Sequence, residues 1–560
     1  MRERARGLPS FPETTRAANL PTNPPETLWR RRHPPFSFNP HRARHTREPP
    51  GGGSRAARAF SPEMSANAAA VKARAVVVGG GFVGVACALH LQRAGFRHVT
   101  LMDAGPTVGG RHAASNGNAG TFAAYANIPV QRPGLWREAP GMILSPTGAL
   151  RLAPDLGHLV RMVPWGLGAL ASCAPAEVRK TALALGTLLR RAEDGYRGAW
   201  EHAGVDVDGP MGAHAPTPDA ADEPFAARRG YVLLQRDVRS AAAAAVAALR
   251  REGLGGDALA MEAIDQAGVL ELEPNLRPEA ATGGAWWFPD GWFLRDPAAL
   301  LRAMADGFVD AGGEIRCGDG DGDGDGRGGS GDVAGCPQDG TRANAPGSGR
   351  VTGLTRASTG VRVTASDGST TDAGAVVIAA GAHSAALARA CGDPVPLDTE
   401  RGYHVQWAPT PASAPPVLTR PVCTPEGGFI VTPMSGGVRA AGLVELGGTA
   451  AGPVPARFEQ LETVARSLLR DEASVTLGDR QKVNDWLGFR PTLPDALPVV
   501  GASSVPGVVY AFGHQHVGWT LGGITGEVVA QIATGKEPTV DLAPFSARRF
   551  ARKTWWRPFA

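Results

Sequence analysis

Residues 75–103 read AVVVGGGFVGVACALHLQRAGFRHVTLMD. The short β-branched run Ala75 to Val78 has the composition of a buried strand. Three glycines follow at the spacing Gly79-x-Gly81-x-x-Gly84, then a helical pattern carrying Ala88, Leu91 and Gly95. A second strand-like run, Val99 to Met102, ends on Asp103. Each position has a mechanical reason. Gly79 makes the tight strand-to-helix turn, and Gly81 lets the backbone close on a pyrophosphate. Gly84 and Ala88 let the helix lie close on the sheet. Phe82 and Val83 stand at the helix start, where free N–H groups and the dipole attract an anion. Asp103, 24 residues after Gly79, is placed to accept hydrogen bonds from both hydroxyls of an adenosine ribose. A glycine triplet alone is a common turn. With strand, helix, second strand and terminal acid in register, the stretch predicts a bound dinucleotide.

The chain has 560 residues, enough for more than one domain, and its 43% apolar and 20% charged content is ordinary for a soluble enzyme. The net charge of +4 is unevenly placed. Residues 1–63 hold 12 Arg, no Lys and 5 Glu, a surplus of +7 that leaves the rest at −3. A mildly acidic body argues against a nucleic-acid footprint. Six scattered cysteines (Cys87, Cys173, Cys317, Cys336, Cys391, Cys423) form no CxxC pair. That is neither a disulfide framework nor a zinc site, no other metal site is expected, and the pattern fits a reducing, cytoplasmic compartment. No apolar run reaches the length of a spanning helix; Leu167 to Ala174 reads as a packed helix or loop.

Residues 1–63, with 11 prolines and no hydrophobic periodicity, read as a disordered basic extension, or as an over-long start before Met64. The Asp-Gly repeat within 317–349 loosely imitates a calcium loop (Asp321, Asp323, Asp325, Gly326, Asp332), but its twelfth position is Asp rather than Glu. It reads as a solvated insertion. Helical patterns run through Glu177 to Ala203, Arg239 to Glu252, Asp296 to Ala311 and Ala456 to Leu469. Strand-like runs include Tyr231 to Leu234, Ala285 to Phe288, Val361 to Ala365, Ala375 to Ile378, Tyr403 to Trp407 and Gly428 to Thr432. The mixture predicts an α/β chain.

Three further segments sharpen the reading. AVVIAAGAHS is an apolar strand ended by Ala379-Ala380-Gly381, a small-residue turn that lets backbone pass close to phosphates. Leu487-Gly488-Phe489-Arg490-Pro491 puts a guanidinium on a stiff turn, suited to bidentate capture of a carboxylate or to a structural ion pair. Gly513-His514-Gln515-His516-Val517-Gly518-Trp519-Thr520 opens a small-residue helix whose positive end faces developing negative charge. Taken singly, the two histidines read as loop residues and Trp519 as core.

Together these segments resemble the FAD-dependent D-amino-acid oxidase superfamily, most closely its bacterial D-amino-acid dehydrogenase branch, over roughly 72–550. Ser115-Asn116-Gly117-Asn118-Ala119-Gly120 is similar to that branch's flavin loop, and Arg401-Gly402-Tyr403-His404 to its Arg-Gly-Tyr-His strand. The leader and the insertion depart from the pattern without interrupting a motif. The resemblance implies a Rossmann-like FAD-binding domain (72–150, 296–394 and 480–545) interleaved with an antiparallel-sheet α+β substrate domain (151–295 and 395–479). With no cysteine after Cys423, the FAD is expected to be non-covalent.

The reaction so implied is oxidative deamination of an amino acid, D by resemblance, to a 2-oxo acid and ammonia. Arg490 would anchor the carboxylate, Tyr403 would position it, and His514 and His516 would line the same turn. Gly79, Gly81, Phe82, Val83, Gly84 and Asp103 would hold the adenosine diphosphate. Ser115, Asn118, Gly120, Gly381, Gly513, Gly518, Trp519 and Thr520 would surround the rest of the cofactor. A hydroxyproline, sarcosine or glycine dehydrogenase or oxidase is the nearest rival; a non-catalytic flavin-bearing subunit is a rival of another class. The electron acceptor stays open between a quinone and O2. The run Phe545 to Phe559, overlapping a basic-aromatic tail at 546–560, reads either as a frayed end or as a peripheral contact with the inner face of a membrane. The number of chains per assembly stays open.

Overall fold

In the computed structural model, which describes residues 73–145, 148–153, 155–256, 260–318, 349–408, 415–424 and 428–551, the apolar runs build two sheets of different character. All of these residues belong to a single unit, Phe60–Ala560.

The first sheet has six strands in the order Val499–Ala502, Val508–Phe512, Ala375–Ile378, Arg74–Val78, His98–Asp103 and Glu314–Cys317. All neighbours are parallel except the antiparallel pair at the Val499–Ala502 edge. Its central strands are apolar on both faces because both are covered. On one side lie helices Phe82–Arg93, Ala192–Ala203 and Pro297–Asp310. On the other, Val76, Val78 and Met102 pack on Val361 and Val363 of a three-stranded meander, Val351–Ala357, Gly360–Ala365 and Thr370–Ala373.

The second sheet runs Trp486–Thr492, Asp398–Gln406, Gly437–Leu446, Phe429–Met434, Val422–Thr424, Tyr231–Leu234, Ala285–Phe288 and Glu262–Ile264, with Leu150–Leu152 added beside Gly437–Leu446. Most of its pairs are antiparallel, so alternate residues face opposite sides.

Several expectations need correction. The strand Trp486–Thr492, expected in the cofactor stretch 480–545, joins the second sheet and pairs along the outer edge of Asp398–Gln406. The pattern Glu177 to Ala203 is two helices, Pro175–Leu189 and Ala192–Ala203, broken at Arg190 and Arg191. Leu167 to Ser172 is helical, as the end of Leu156–Ser172, but Leu167 and Leu170 point outward rather than into a core. The C-terminal run begins as core: Phe545 and Phe550 are buried and Arg549 pairs with Asp495 at 2.9 Å. Residues 1–63, the Asp-Gly repeat at 319–348 and the tail from 552 lie outside the described residues. Among the described residues no helix is long and apolar enough to cross a membrane, and no acid, cysteine or histidine cluster could hold a metal ion.

Candidate active site

The fingerprint folds as its spacing demands. Gly79 takes φ +109°, and a Cβ there would lie 2.4 Å from Ala379 O. At Gly84 a Cβ would lie 1.8 Å from Gly79 O, so the close approach of helix to strand requires glycine. Val85 N closes the first helical turn on Gly81 O at 3.0 Å, and Phe82 N donates to Ser115 Oγ at 3.1 Å. The amides of Gly81, Val83 and Gly84 find no partner among the described residues and stay open to an anion. Asp103 is buried at the second strand's end, where its carboxylate accepts from Gly80 N at 2.6 Å, Gly105 N at 2.8 Å and His112 Nε2 at 2.8 Å. These bonds fix its position and leave a carboxylate lone pair for a further donor.

The loop expected beside a flavin is held by its own asparagine. Asn118 Nδ2 donates to Ser115 O at 2.7 Å, and its Oδ1 accepts from Gly120 N at 2.7 Å. Gly120 and Gly381 both carry positive φ at their turns. The loop rests on the second sheet, where Thr432 Oγ1 donates to Ala119 O at 3.0 Å and Arg439 Nη1 to Asn118 O at 3.0 Å.

The last motif enters helix Gly518–Ala533 without a side-chain cap and with no acid in its first turn, so the amides at its start remain available. Gly513 has φ +83°, and Gln515 is left-handed at φ +50° although it is not glycine. Gln515 is held there by bonds to Thr492 Oγ1 at 3.2 Å and Leu493 O at 3.4 Å. His514 is buried against the helix, 3.0 Å from Thr525 Oγ1, and burial pushes its pKa down to about 3. His516 behaves differently. Its ring keeps accessible surface, yet burial first and the Arg490 charge second bring it down to about 4. The Arg490 charge acting on it places the two side chains near one another. The Trp519 ring is core, packed on Phe82, Phe122, Tyr196 and Trp292. Thr520 Oγ1 accepts from Ala123 N at 3.0 Å, and Trp519 Nε1 is buried with no partner among the described residues.

Arg490 stands on the edge strand, close enough for its charge to act on His516. It stands opposite Glu400 in register, but its guanidinium donates instead to Leu443 O at 2.7 Å and Gly442 O at 3.4 Å. Glu400 accepts from Thr492 Oγ1 at 3.0 Å, and burial raises its pKa. Among the described residues Arg490 has no carboxylate within ion-pair distance, although the charge of the neighbouring Glu400 acts on it. The carbonyl it uses belongs to Leu443, another left-handed non-glycine (φ +61°), at a bulge where the pairing of the two strands slips between Arg401 and Tyr403.

Tyr403 is a correction. Along Asp398–Gln406 the side chains of Glu400, Gly402, His404 and Gln406 share the Arg490 face, whereas Arg401 and Tyr403 point the other way. Tyr403 is buried on that far side, donating to Glu445 Oε1 at 2.9 Å and packed edge-on against Phe458. Arg401 meets the same carboxylate with Nε 3.0 Å from Oε1. Tyr403 therefore cannot reach a ligand held by Arg490.

The structure adds residues the motifs did not single out. His404 is stacked on Trp486, with Nδ1 2.9 Å from Gly117 O and Nε2 2.8 Å from Asn484 O. Burial and the nearby Arg439 hold its pKa well below the usual range. Arg439, the lone cation within the apolar strand Gly437–Leu446, binds Gln406 Oε1 through Nε and Nη2 and carries no ion pair among the described residues. An arginine isolated in an apolar run was the available signal.

The arrangement fits an extended dinucleotide: open amides at two helix starts, a fixed acid at the second strand, and glycine turns where a Cβ would meet backbone. The family model described as FAD dependent oxidoreductase matches residues 74–532. A D-amino-acid oxidase of Bradyrhizobium diazoefficiens is 32% identical over 484 residues, 85% of this chain and 98% of that protein. A D-amino acid dehydrogenase of Cereibacter sphaeroides is 29% identical over 482 residues, 85% and 95% of the two chains. Among solved structures, glycine oxidase from Geobacillus kaustophilus superposes with a TM-score of 0.55 at 23% identity, covering 85% of this chain and 99% of its own, a likeness of fold.

Proposed function

The chain belongs to the FAD-dependent oxidoreductase family, and we propose that it oxidises the Cα–N bond of a free amino acid, releasing a 2-oxo acid and ammonia. FAD, when bound, supplies the two-electron acceptor for the substrate's Cα hydride. The observation that carries the substrate class is Arg490: a partly accessible guanidinium near His516, hydrogen-bonded only to carbonyls, with no carboxylate within ion-pair distance among the described residues. The substrate's acid group completes it with a charge-assisted pair. The left-handed Leu443 aims the carbonyl that holds the guanidinium in place, and this fixes Cα for transfer.

The start of helix Gly518–Ala533 sets its positive end toward negative charge that builds during the reaction. His516, neutral above pH about 4, lines the pocket as a hydrogen-bonding group. His514 is a positioning residue, tying the turn to Thr525. Gly79, Gly81, Phe82, Val83, Gly84 and Asp103 hold the adenosine diphosphate; Ser115, Asn118, Gly120, Gly381, Gly513, Gly518 and the backbones of Trp519 and Thr520 border the remainder. The FAD is held non-covalently, with Cys87, Cys391 and Cys423 buried in packing. The names of the curated relatives favour the D configuration.

Anaerobic mixing of the purified yellow chain with D- and L-amino acids, glycine, sarcosine and hydroxyproline tests the reading. Bleaching of the flavin band by D-amino acids is expected. Failure of every amine to bleach it would reduce the chain to a flavin carrier and end the proposal. Reoxidation by O2 against a soluble quinone then assigns the acceptor.

A further inference from the structure

Gly402 stands between Glu400 and His404 on the face of Asp398–Gln406 that carries Arg490. A glycine inside a strand gives up packing, and it commonly marks a place where another group comes close. The backbone does not call for glycine here, because Gly402 has no positive φ. The space above it does. A Cβ at 402 would lie 2.4 Å from Arg490 Nη2, 2.5 Å from its Cζ and 2.9 Å from its Nε. The guanidinium occupies the place where a side chain would begin.

Arg490 starts from the edge strand Trp486–Thr492, in register with Glu400. Its side chain does not stay with that neighbour. It crosses Asp398–Gln406 over Gly402 and ends on Gly437–Leu446, donating to Leu443 O at 2.7 Å and Gly442 O at 3.4 Å. Glu400 is tied back on its own side: it accepts from Thr492 Oγ1 at 3.0 Å, which accepts in turn from Gln515 Nε2 at 3.2 Å. The charges of Arg490 and Glu400 still act on one another. A buried carboxylate in register with an arginine is its natural partner, yet the bare strand offers this arginine a second resting place. Gly488, opposite Gly402 on the edge strand, does the same for a different neighbour, since a Cβ there would lie 1.8 Å from Trp486 Cη2. One cross-strand pair of glycines thus seats an indole on one member and a guanidinium on the other.

We propose that Gly402 is a positioning residue for carboxylate recognition: its missing side chain is the shelf on which Arg490 lies, and that shelf keeps the guanidinium from closing on Glu400. This deepens the assignment of Arg490 as the substrate's anchor and rests on it. A methyl group at 402 leaves the backbone as it is and meets only the tip of a long, flexible side chain. The tip yields, falls back to Glu400, and is no longer open to a ligand.

A crystal structure of the FAD-loaded Gly402→Ala variant tests the shelf directly. The Arg490 guanidinium is expected within ion-pair distance of Glu400, with flavin absorbance and thermal midpoint as in wild type. A guanidinium still bonded to Leu443 O would overturn the proposal. So would loss of FAD or of thermal stability, since the fold and not the arginine would then have yielded. Kinetics with the amino acid that bleaches the flavin fastest test the consequence. Gly402→Ala should lower kcat/KM by roughly 30-fold in the wild-type background and by about threefold in the Glu400→Gln background, where the acceptor for Thr492 survives and the trapping charge is gone. An equal loss in both backgrounds, or no loss in either, would overturn the proposal. Normal kinetics in Arg490→Leu would instead defeat the anchor assignment, and the crystal structure would judge the shelf on its own.

Discussion

The two faces of the strand Asp398–Gln406 are one residue apart in sequence and opposite in use. Toward the loop Ser115 to Gly120 stands His404, on the same face as Glu400, Gly402 and Gln406, with Arg490 and Arg439 brought alongside by neighbouring strands. The cations there bond to carbonyls and an amide, with the nearby carboxylates of Glu400 and Asp296 acting on them only electrostatically. On the other face Arg401 forms an ion pair with Glu445, and Tyr403 donates to the same carboxylate, in a core that includes Phe458 and Trp407. An arginine whose neighbouring carboxylate stays out of contact keeps its guanidinium open to a ligand; an arginine with its carboxylate already in place marks structure. Pattern and residue type alone do not separate the two.

The sharpest break of this comparison is on the far face. Glu445→Ala leaves Arg401 buried and unpaired, and a loss of about 3–5 kcal/mol in unfolding free energy is expected. Denaturant titration checks it, and retained stability would show that the pair is not what holds this face. Arg490→Leu, on the near face, should lower kcat/KM by roughly 30-fold or more, about 2–5 kcal/mol, with FAD content unchanged. A normal kcat/KM in that variant would remove Arg490 from the site. Tyr403→Phe should lower stability by about 1.5–3 kcal/mol, for one hydrogen bond to a buried carboxylate, and leave kcat/KM as in wild type. A rate defect without a stability defect would return Tyr403 to the reacting face.

The smallest effect expected is on pH dependence. Burial lowers His90 to about 4 and His514 to about 3, below the ~6.5 of an unfolded histidine. The unfolded chain therefore binds protons first as pH falls. Stability contributed by the neutral rings is complete above about 6.5 and declines toward 4, by at most about 1.4 kcal/mol per pH unit for each group. Melting curves from pH 7.5 to 4.5 should show the decline, less steep in His514→Asn. Because His516 is neutral across this range, kcat/KM should show no inflection from it above pH 5.

The fingerprint was legible because most of its constraints are local. Gly84 and Asp103 act on residues within about one βαβ unit, so spacing alone fixes their roles, whereas the approach of Gly79 to Ala379 comes from a distant strand. The strands Tyr231–Leu234, Ala285–Phe288 and Ala375–Ile378 fall where their β-branched and aromatic runs placed them. Tyr403 was assigned to the wrong face because the motif Arg-Gly-Tyr-His names four adjacent residues, while a strand gives its two sides to alternate ones. Arg439 went unnoticed because its significance depends on Asn118, 321 residues away. Nor could the left-handed Leu443 be read: it exists only because two strands slip register at a bulge. The exposed stripe on Leu156–Ser172 was read as packing because an apolar run does not say what covers it.

The order of the six-stranded sheet also governs how the chain emerges from a ribosome. The strand Arg74–Val78 takes its neighbour on one side from His98–Asp103 at once, but on the other from Ala375–Ile378. Translation at about 5–20 residues per second puts roughly fifteen seconds to a minute between the two. Through that interval the nascent protein displays an open row of amides and carbonyls beside its most apolar segment, and a chaperone able to cover an unpaired edge would be needed most while the middle third of the message is being read.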